Sequence, residues 1–222
     1  MPLDGLRILL AGGGGGLGSA TADLLRAEGG EVVISSRSHG IRADITKAED
    51  RKRLLDSVAA LYGLVVFTGS PARGSGEDVM RLSHEVNYQG PILLARDAAE
   101  RMKASGTQGA IVLFSTMQAV ALFPGSTVYA GEKAALLHVA RILAKECRGA
   151  ANIRVNVIAP GVMAAGMAEA SIASGKYDGY IRDGVISRFG RAVDVARAVR
   201  FLLEPDCYIT GQVLGVDGGI TL

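Results

Sequence analysis

Ala11-Gly12-Gly13-Gly14-Gly15-Gly16-Leu17-Gly18 follows an apolar run from Arg7 to Ala11 and opens a stretch of helical period from Leu17 to Glu28. Between a strand and a helix, such a run reads as a phosphate cradle. Glycine lets the backbone come close to a pyrophosphate, while the helix N-terminus offers unpaired N–H groups and a partial positive charge. Two registers fit: Gly12, Gly16 and Gly18 make GxxxGxG, whereas Gly13, Gly15 and Gly18 make GxGxxG, with Gly14 inside either. No Lys-Ser or Lys-Thr follows, which excludes a Walker-type loop.

Outward from this turn, short Val- and Ile-rich runs alternate with longer stretches of helical period, the pattern of βαβ units and of a mostly parallel sheet. Strands are expected at Arg7 to Ala11, Glu31 to Ser35, Leu64 to Thr68, Ala110 to Phe114, Arg154 to Ile158 and Gln212 to Val216. Helices are expected at Leu17 to Glu28, Lys47 to Leu61, Glu77 to Lys103, Val128 to Glu146 and Val193 to Leu203, and Thr46 with Glu49 reads as a capping box for the second. Between Arg37 and Ile45 there is room for a turn and a short strand ending at Asp44, but not for a crossover helix. Pro160 to Arg191 is rich in Ala, Gly and Ser with weak periodicity and reads as a mobile flap. The expectation is one α/β domain over residues 1–222. It is doubly wound and Rossmann-like, with a mostly parallel seven-stranded sheet, helices on both faces and a shortening after the second strand, and residues 160–191 form a substrate lid.

Composition bounds the function. The 222 residues are 49% hydrophobic and 21% charged, enough apolar surface to offset the entropy of ordering one core. The 24 Lys+Arg nearly balance 22 Asp+Glu for a net charge of +2, so nucleic acid and anionic membrane are not expected partners. No apolar stretch approaches the roughly 18 residues of a spanning helix. Cys147 and Cys207 make no disulfide framework, and Asp4 and Arg7 precede any apolar run of signal-peptide length, so a soluble protein of the reducing cytoplasm is expected. The three histidines include His84 before Glu85 but no second zinc-ligand histidine, and no metal is expected.

Two further patterns carry chemistry. At the end of the second strand, Ile34-Ser35-Ser36-Arg37-Ser38 lacks the carboxylate that binds a ribose 2′-hydroxyl. Arg37, with Ser36 beside it, suits a 2′-phosphate instead, which favours NADP over NAD. Tyr129 has Lys133 four residues on, so the two share a helix face. An ordinary tyrosine pKa near 10 makes a poor proton shuttle unless a cation favours the phenolate, and Lys133 is placed to be that cation. On spacing alone, an ordinary surface pair is the commoner explanation.

Taken together, these segments resemble the short-chain dehydrogenase/reductase family. Tyr129-Ala-Gly-Glu-Lys133 is similar to its YxxxK, Val86-Asn87-Tyr88-Gln89-Gly90 to its asparagine segment, and Gly109 to Thr116 to its fifth strand and catalytic hydroxyl. Asn152 to Gly161 resembles its sixth strand and Pro-Gly turn, and Thr210 to Gly219 its C-terminal signature. The resemblance implies hydride transfer between a nicotinamide and a small carbonyl or alcohol substrate, with Tyr129 as acid and base. It implies that Lys133 binds the nicotinamide ribose and lowers the tyrosine pKa, and that Asn87 holds a water linking Lys133 to solvent. Counting back from Tyr129 puts the catalytic serine position on Thr116, with Ser115 beside it as the alternative. By position, the cofactor residues are Gly12, Gly14, Gly15, Gly16, Leu17, Gly18, Ser36, Arg37, Asp44, Thr68, Gly69, Lys133, Pro160, Gly161 and Val162.

Two segments depart from the family. Phe67-Thr68-Gly69-Ser70 stands where the family shows Asn-Asn-Ala-Gly, and Val162 to Ala165 is apolar where a threonine follows Pro-Gly. These departures motivate the rival reading, a cofactor-binding sensor or scaffold without turnover. Val162, Met163, Met167, Phe123 and Phe189 are candidates for an apolar substrate cleft, and the family's habit of pairing through its fourth and fifth helices implies a homodimer or homotetramer.

Overall fold

The computed structural model describes residues 2–72, 74 and 76–222. Its centre is a seven-stranded sheet of order β3-β2-β1-β4-β5-β6-β7, in which every pairing is parallel. The strands are β1 (Arg7–Ala11), β2 (Glu31–Ser36), β3 (Ile41–Arg42), β4 (Leu61–Val66), β5 (Gly109–Phe114), β6 (Ile153–Pro160) and β7 (Val213–Val216). β4, β5 and β6 are buried at every position, which is why they read as near-continuous apolar runs rather than alternating ones. The polar side chains of β6 bond to nearby backbone, apart from Arg154 Nε, which is buried without a partner among the described residues. Arg154 donates to the carbonyls of Leu202 and Glu204, and Asn156 donates to Ile209 O and accepts from Gln212 N.

Alternation along β1 divides the core in two. Leu9 and Ala11 face one cluster and Ile8 and Leu10 the other. The first cluster is completed by α2 (Ala48–Asp56), α4 (Gly90–Ser105) and α5 (Thr127–Glu146), through residues such as Leu54, Leu94 and Leu136. The second is completed by α1 (Gly16–Ala27) and α8 (Ala192–Leu203), through Ala22, Leu25, Val195 and Val199. The doubly wound fold expected from the sequence is therefore present. Strand order reverses at β1, and a crevice opens outside the carboxyl ends of β1 and β4, where ligands bind in such sheets.

Several boundaries differ from expectation. The single helix expected over Glu77 to Lys103 is divided into α3 (Glu77–His84), a π-helical turn over Glu85–Gln89, and α4. Pro91 has no N–H to return to the carbonyl four residues back, and Gly90 N–H reaches five residues back to Glu85 O. The Thr46 and Glu49 capping box does not form: the Thr46 hydroxyl and N–H both donate to Asp44 Oδ1, at 2.8 and 3.1 Å, and Lys47 precedes the helix. α2 stops at Asp56, and β4 begins at Leu61 rather than Leu64 and ends before Thr68. The expected crossover gap holds: only a turn and the two-residue β3 lie between β2 and Asp44.

The segment from Pro160 to Arg191 is not structureless. It carries a 3-10 turn at Gly166–Ala168 and two short helices, α6 (Glu169–Ala173) and α7 (Asp178–Arg182). Its ends are tied by Ala164 N–H to Gly190 O at 2.7 Å and Gly190 N–H to Val162 O at 2.9 Å. Among the described residues, no helix is long and apolar enough to cross a membrane.

Candidate active site

Close approaches at Gly12, Gly13, Gly14 and Gly18 shape the glycine turn. Gly12 has φ +78°, and a Cβ there would lie 2.8 Å from Thr68 Cγ2 and 2.9 Å from Thr68 N. Gly18 packs α1 onto the turn so closely that a Cβ would sit 2.4 Å from Gly13 Cα. Gly14 lies against Ser36, its added Cβ falling 2.8 Å from Ser36 Oγ. Gly15, by contrast, faces open space as the N-cap of α1, and Gly16 begins the helix. Gly12 and Gly18 thus hold the turn's shape, while Gly15 and Gly16 present backbone N–H groups to the cleft.

Gly18→Ala is accordingly expected to lower the melting temperature by about 5 °C, the scale of an overpacked backbone contact worth roughly 1–3 kcal/mol. Gly15→Ala meets no neighbour within 4 Å and is expected to melt near the wild-type temperature. Thermal denaturation of the two variants side by side checks this, and equal melting temperatures would contradict the packing argument.

From the turn, a cleft of about 520 Å³ runs along the carboxyl ends of the central strands to Tyr129 and the α6–α7 segment. Of the expected site residues, Gly12, Gly15, Gly16, Leu17, Gly18, Thr68, Gly69, Ser115, Thr116, Tyr129, Lys133, Pro160, Gly161 and Val162 line it. Gly14, Ser36, Arg37, Asp44 and Asn87 do not. Among the described residues, the charged ones in the lining are Lys133 and Lys176, both cations.

Tyr129 and Lys133 lie two and six residues after the start of α5 at Thr127. Burial pushes the Tyr129 phenol up to about 12, and a hydrogen bond from the Thr116 hydroxyl opposes part of that rise. Lys133 is 2% exposed, and its Nζ donates to Phe114 O at 2.9 Å and Thr68 O at 3.2 Å. Burial pulls this ammonium down to about 8, and the expected lowering of the Tyr129 pKa by Lys133 is not seen: the phenol is raised by burial, and the group that opposes the rise is Thr116. The two neighbouring hydroxyls divide their roles. Ser115 Oγ donates to Lys133 O at 2.9 Å, tying the end of β5 to α5, whereas Thr116 stands against the Tyr129 phenol.

Asn87 is fully buried in the π-helical turn. Its Nδ2 donates to Ser70 O and Ser83 Oγ, and its Oδ1 accepts from Ser70 N at 2.9 Å. A Cβ on Gly69 would lie 3.3 Å from Asn87 Oδ1 and 3.4 Å from Lys133 Nζ, so the three meet there. Ser36 is occupied as a turn former: its Oγ accepts from Ser38 N and His39 N and donates to His39 O. Arg37 stands exposed at the apex of that turn, and Asp44 is engaged with Thr46. Phe123 and Phe189 lie outside the cleft, while Val162, Met163 and Met167 line it. Gln118, Ser126, Lys176 and Tyr177 line it too and carried no motif in the sequence.

These features fit a dinucleotide. The turn closes against any Cβ at Gly12, the Thr68 Oγ1 hydroxyl is buried without a partner among the described residues, and the charges facing the cleft suit a pyrophosphate. A family model described as enoyl-(acyl carrier protein) reductase matches residues 12–221. Carbonyl reductase family member 4 of Danio rerio is 33% identical over 240 residues, covering 95% of this chain and 96% of its own. A solved short chain dehydrogenase/reductase family protein superposes with a TM-score of 0.89 at 30% identity, covering 100% of this chain and 99% of that one. The chain belongs to the short-chain dehydrogenase/reductase family. This dehydrogenase/reductase is therefore an oxidoreductase dependent on a nicotinamide cofactor. Its relatives differ in substrate: glucose 1-dehydrogenase of Gluconobacter oxydans is 30% identical over 249 residues, covering 98% of this chain and 92% of its own.

Proposed function

We propose that the protein is an NADPH-dependent reductase of small carbonyl compounds, running in reverse as an alcohol dehydrogenase, with Tyr129 as the acid and base. The observation that supports it most is that Tyr129, Thr116 and Lys133 all line the cleft that begins at the glycine turn. A bound nicotinamide dinucleotide supplies the hydride that adds to the carbonyl carbon. Tyr129 Oη gives its proton to the carbonyl oxygen, and a phenol held protonated by burial is ready for that direction. The Thr116 hydroxyl polarises the same oxygen. Lys133 holds the nicotinamide ribose, and Asn87 fixes the Ser70 backbone behind it.

The turn from Gly12 to Gly18, Thr68, Gly69, and Pro160 to Val162 hold the rest of the dinucleotide. With Val162 to Ala165 apolar, a backbone group there serves the carboxamide. Arg37, raised by the Ser36 turn and without a carboxylate at the end of β2, is the 2′-phosphate ligand. Gly14 and Ser36 act by shaping that turn, and Asp44 borders the adenine side. Residues 160–191 act as a lid on a single domain, and the outer faces of α4 and α5 pair copies into a homodimer or homotetramer. The composition suits the cytoplasm.

The test is titration with NADPH and NADH, followed by a panel of ketones and alcohols and, for the activity in the matched model's description, an enoyl thioester. Binding without turnover across the panel would refute the reading. Arg37→Ala is expected to weaken NADPH by about tenfold to a hundredfold, the scale of a lost bond to a charged group, and to leave NADH within a factor of about two. Equal weakening of both would remove Arg37 from phosphate recognition.

A further inference from the structure

Besides the proton-delivering groups, the cleft holds a polar side chain anchored from two directions. Gln118 lies in the 3-10 turn Met117–Ala119 and lines the cleft together with Thr116, Ser126 and Tyr129. Its backbone N–H donates to Thr116 Oγ1 at 3.4 Å, and its side-chain Oε1 accepts the hydroxyl of Ser126, the residue just before α5. Because the carboxamide is planar, holding Oε1 on Ser126 also fixes the direction of Nε2. Among the described hydrogen bonds none engages Nε2, which leaves its two N–H groups to whatever fills the cleft. Gln118 is only half-buried, so water satisfies that amide until a ligand displaces it.

We propose that Gln118 Nε2 donates to a second oxygen of the substrate, so that the enzyme selects dicarbonyl compounds, α- or β-keto esters and diketones, over plain ketones. The inference rests on the reductase reading of Tyr129. In that reading Tyr129 and Thr116 take the oxygen of the reacting carbonyl, and Gln118, joined to Thr116 through its backbone, offers unspent donors in the same cleft. A substrate with an acceptor oxygen a few bonds from the reacting carbon meets both sets at once. A plain ketone displaces the water from Nε2 and puts no acceptor in its place, and such unpaired donors are what give polar sites their discrimination. Lys133 contributes nothing to this choice, since its ammonium is spent on backbone carbonyls and, in the proposed complex, on the ribose.

The experiment compares ethyl acetoacetate with 2-heptanone, which have the same chain length and differ in the ester oxygens. Both are reduced with NADPH by the wild-type chain, Gln118→Glu and Gln118→Leu. Glu keeps an acceptor for Ser126 and loses both N–H groups; Leu loses both functions without adding charge. The expected result is a wild-type preference for the ester in kcat/KM that falls about tenfold or more in both variants. A purely structural role for Gln118 would slow both substrates together and leave that ratio unchanged, which would overturn the proposal if NADPH binding and circular dichroism show each variant folded. A wild-type enzyme that favours 2-heptanone would overturn it as well. Failure of the wild-type chain to reduce either ketone, with NADPH bound, would instead strike at the reductase reading and take this inference with it.

Discussion

Tyr129→Phe is expected to reduce ketone turnover by about a thousandfold while leaving NADPH affinity within a factor of about two, because it deletes one oxygen from the cleft and keeps the ring that packs there. The size follows from general acid catalysis, and the specificity from where the oxygen sits: beside Thr116 and buried enough to hold its pKa at about 12. Single-turnover kinetics with pre-bound NADPH separates the two quantities, and wild-type-like turnover would remove Tyr129 from the reaction. The same pKa fixes the pH dependence. A phenol raised to about 12 is protonated through neutrality, so the acid form is fully present and reduction is expected to be flat from about pH 6 to 8. Oxidation needs the phenolate, about one part in 10⁵ at pH 7, and so is expected to rise about tenfold per pH unit.

Thr116→Ala is expected to lower kcat by about a hundredfold, the effect of removing one donor from the oxygen on which charge develops. Ser115→Ala is expected to act differently despite its adjacency. Ser115 spends its hydroxyl on Lys133 O, so its loss costs about 1 kcal/mol of stability and shows in the melting temperature before it shows in kcat. The pair is informative because the two side chains are neighbours on one chain but face different partners. Equal losses of kcat would mean that Ser115 also reaches the substrate, and two unaffected variants would mean that neither hydroxyl takes part.

The fold was legible because the buried strands read as short apolar runs and because the glycine turn stands where a parallel sheet meets its first helix. Tyr129 and Lys133 were legible for a related reason: spacing along a helix is geometry, and i,i+4 residues share a face whatever surrounds them. The choice between Ser115 and Thr116 was not, since it depends on which hydroxyl α5 captures, a contact across 18 positions in the chain. The π-helical turn was hidden for the opposite reason. Pro91 marks it, but a proline near a helix start more often begins a new helix than widens an existing one. Ser36 looked like a phosphate ligand and is a turn former, because a serine hydroxyl bonds the nearest backbone N–H groups first. Gln118 and Lys176 carried no periodic signal at all, and only folding brings them into one cleft with Tyr129.

The short connection after β2 has a consequence for the molecule's colloidal behaviour. An outer strand of a sheet is a template on which a neighbouring chain can add its own backbone, and long, flat, apolar outer strands invite that addition. Here the β3 side ends in only two residues, one of them the exposed Arg42, whose carbonyl is already taken by the Arg53 guanidinium at 2.7 Å. A second chain finds almost no ladder to extend there and meets positive charge, so giving up a crossover helix also blunts the flank on which open sheets most readily grow into aggregates.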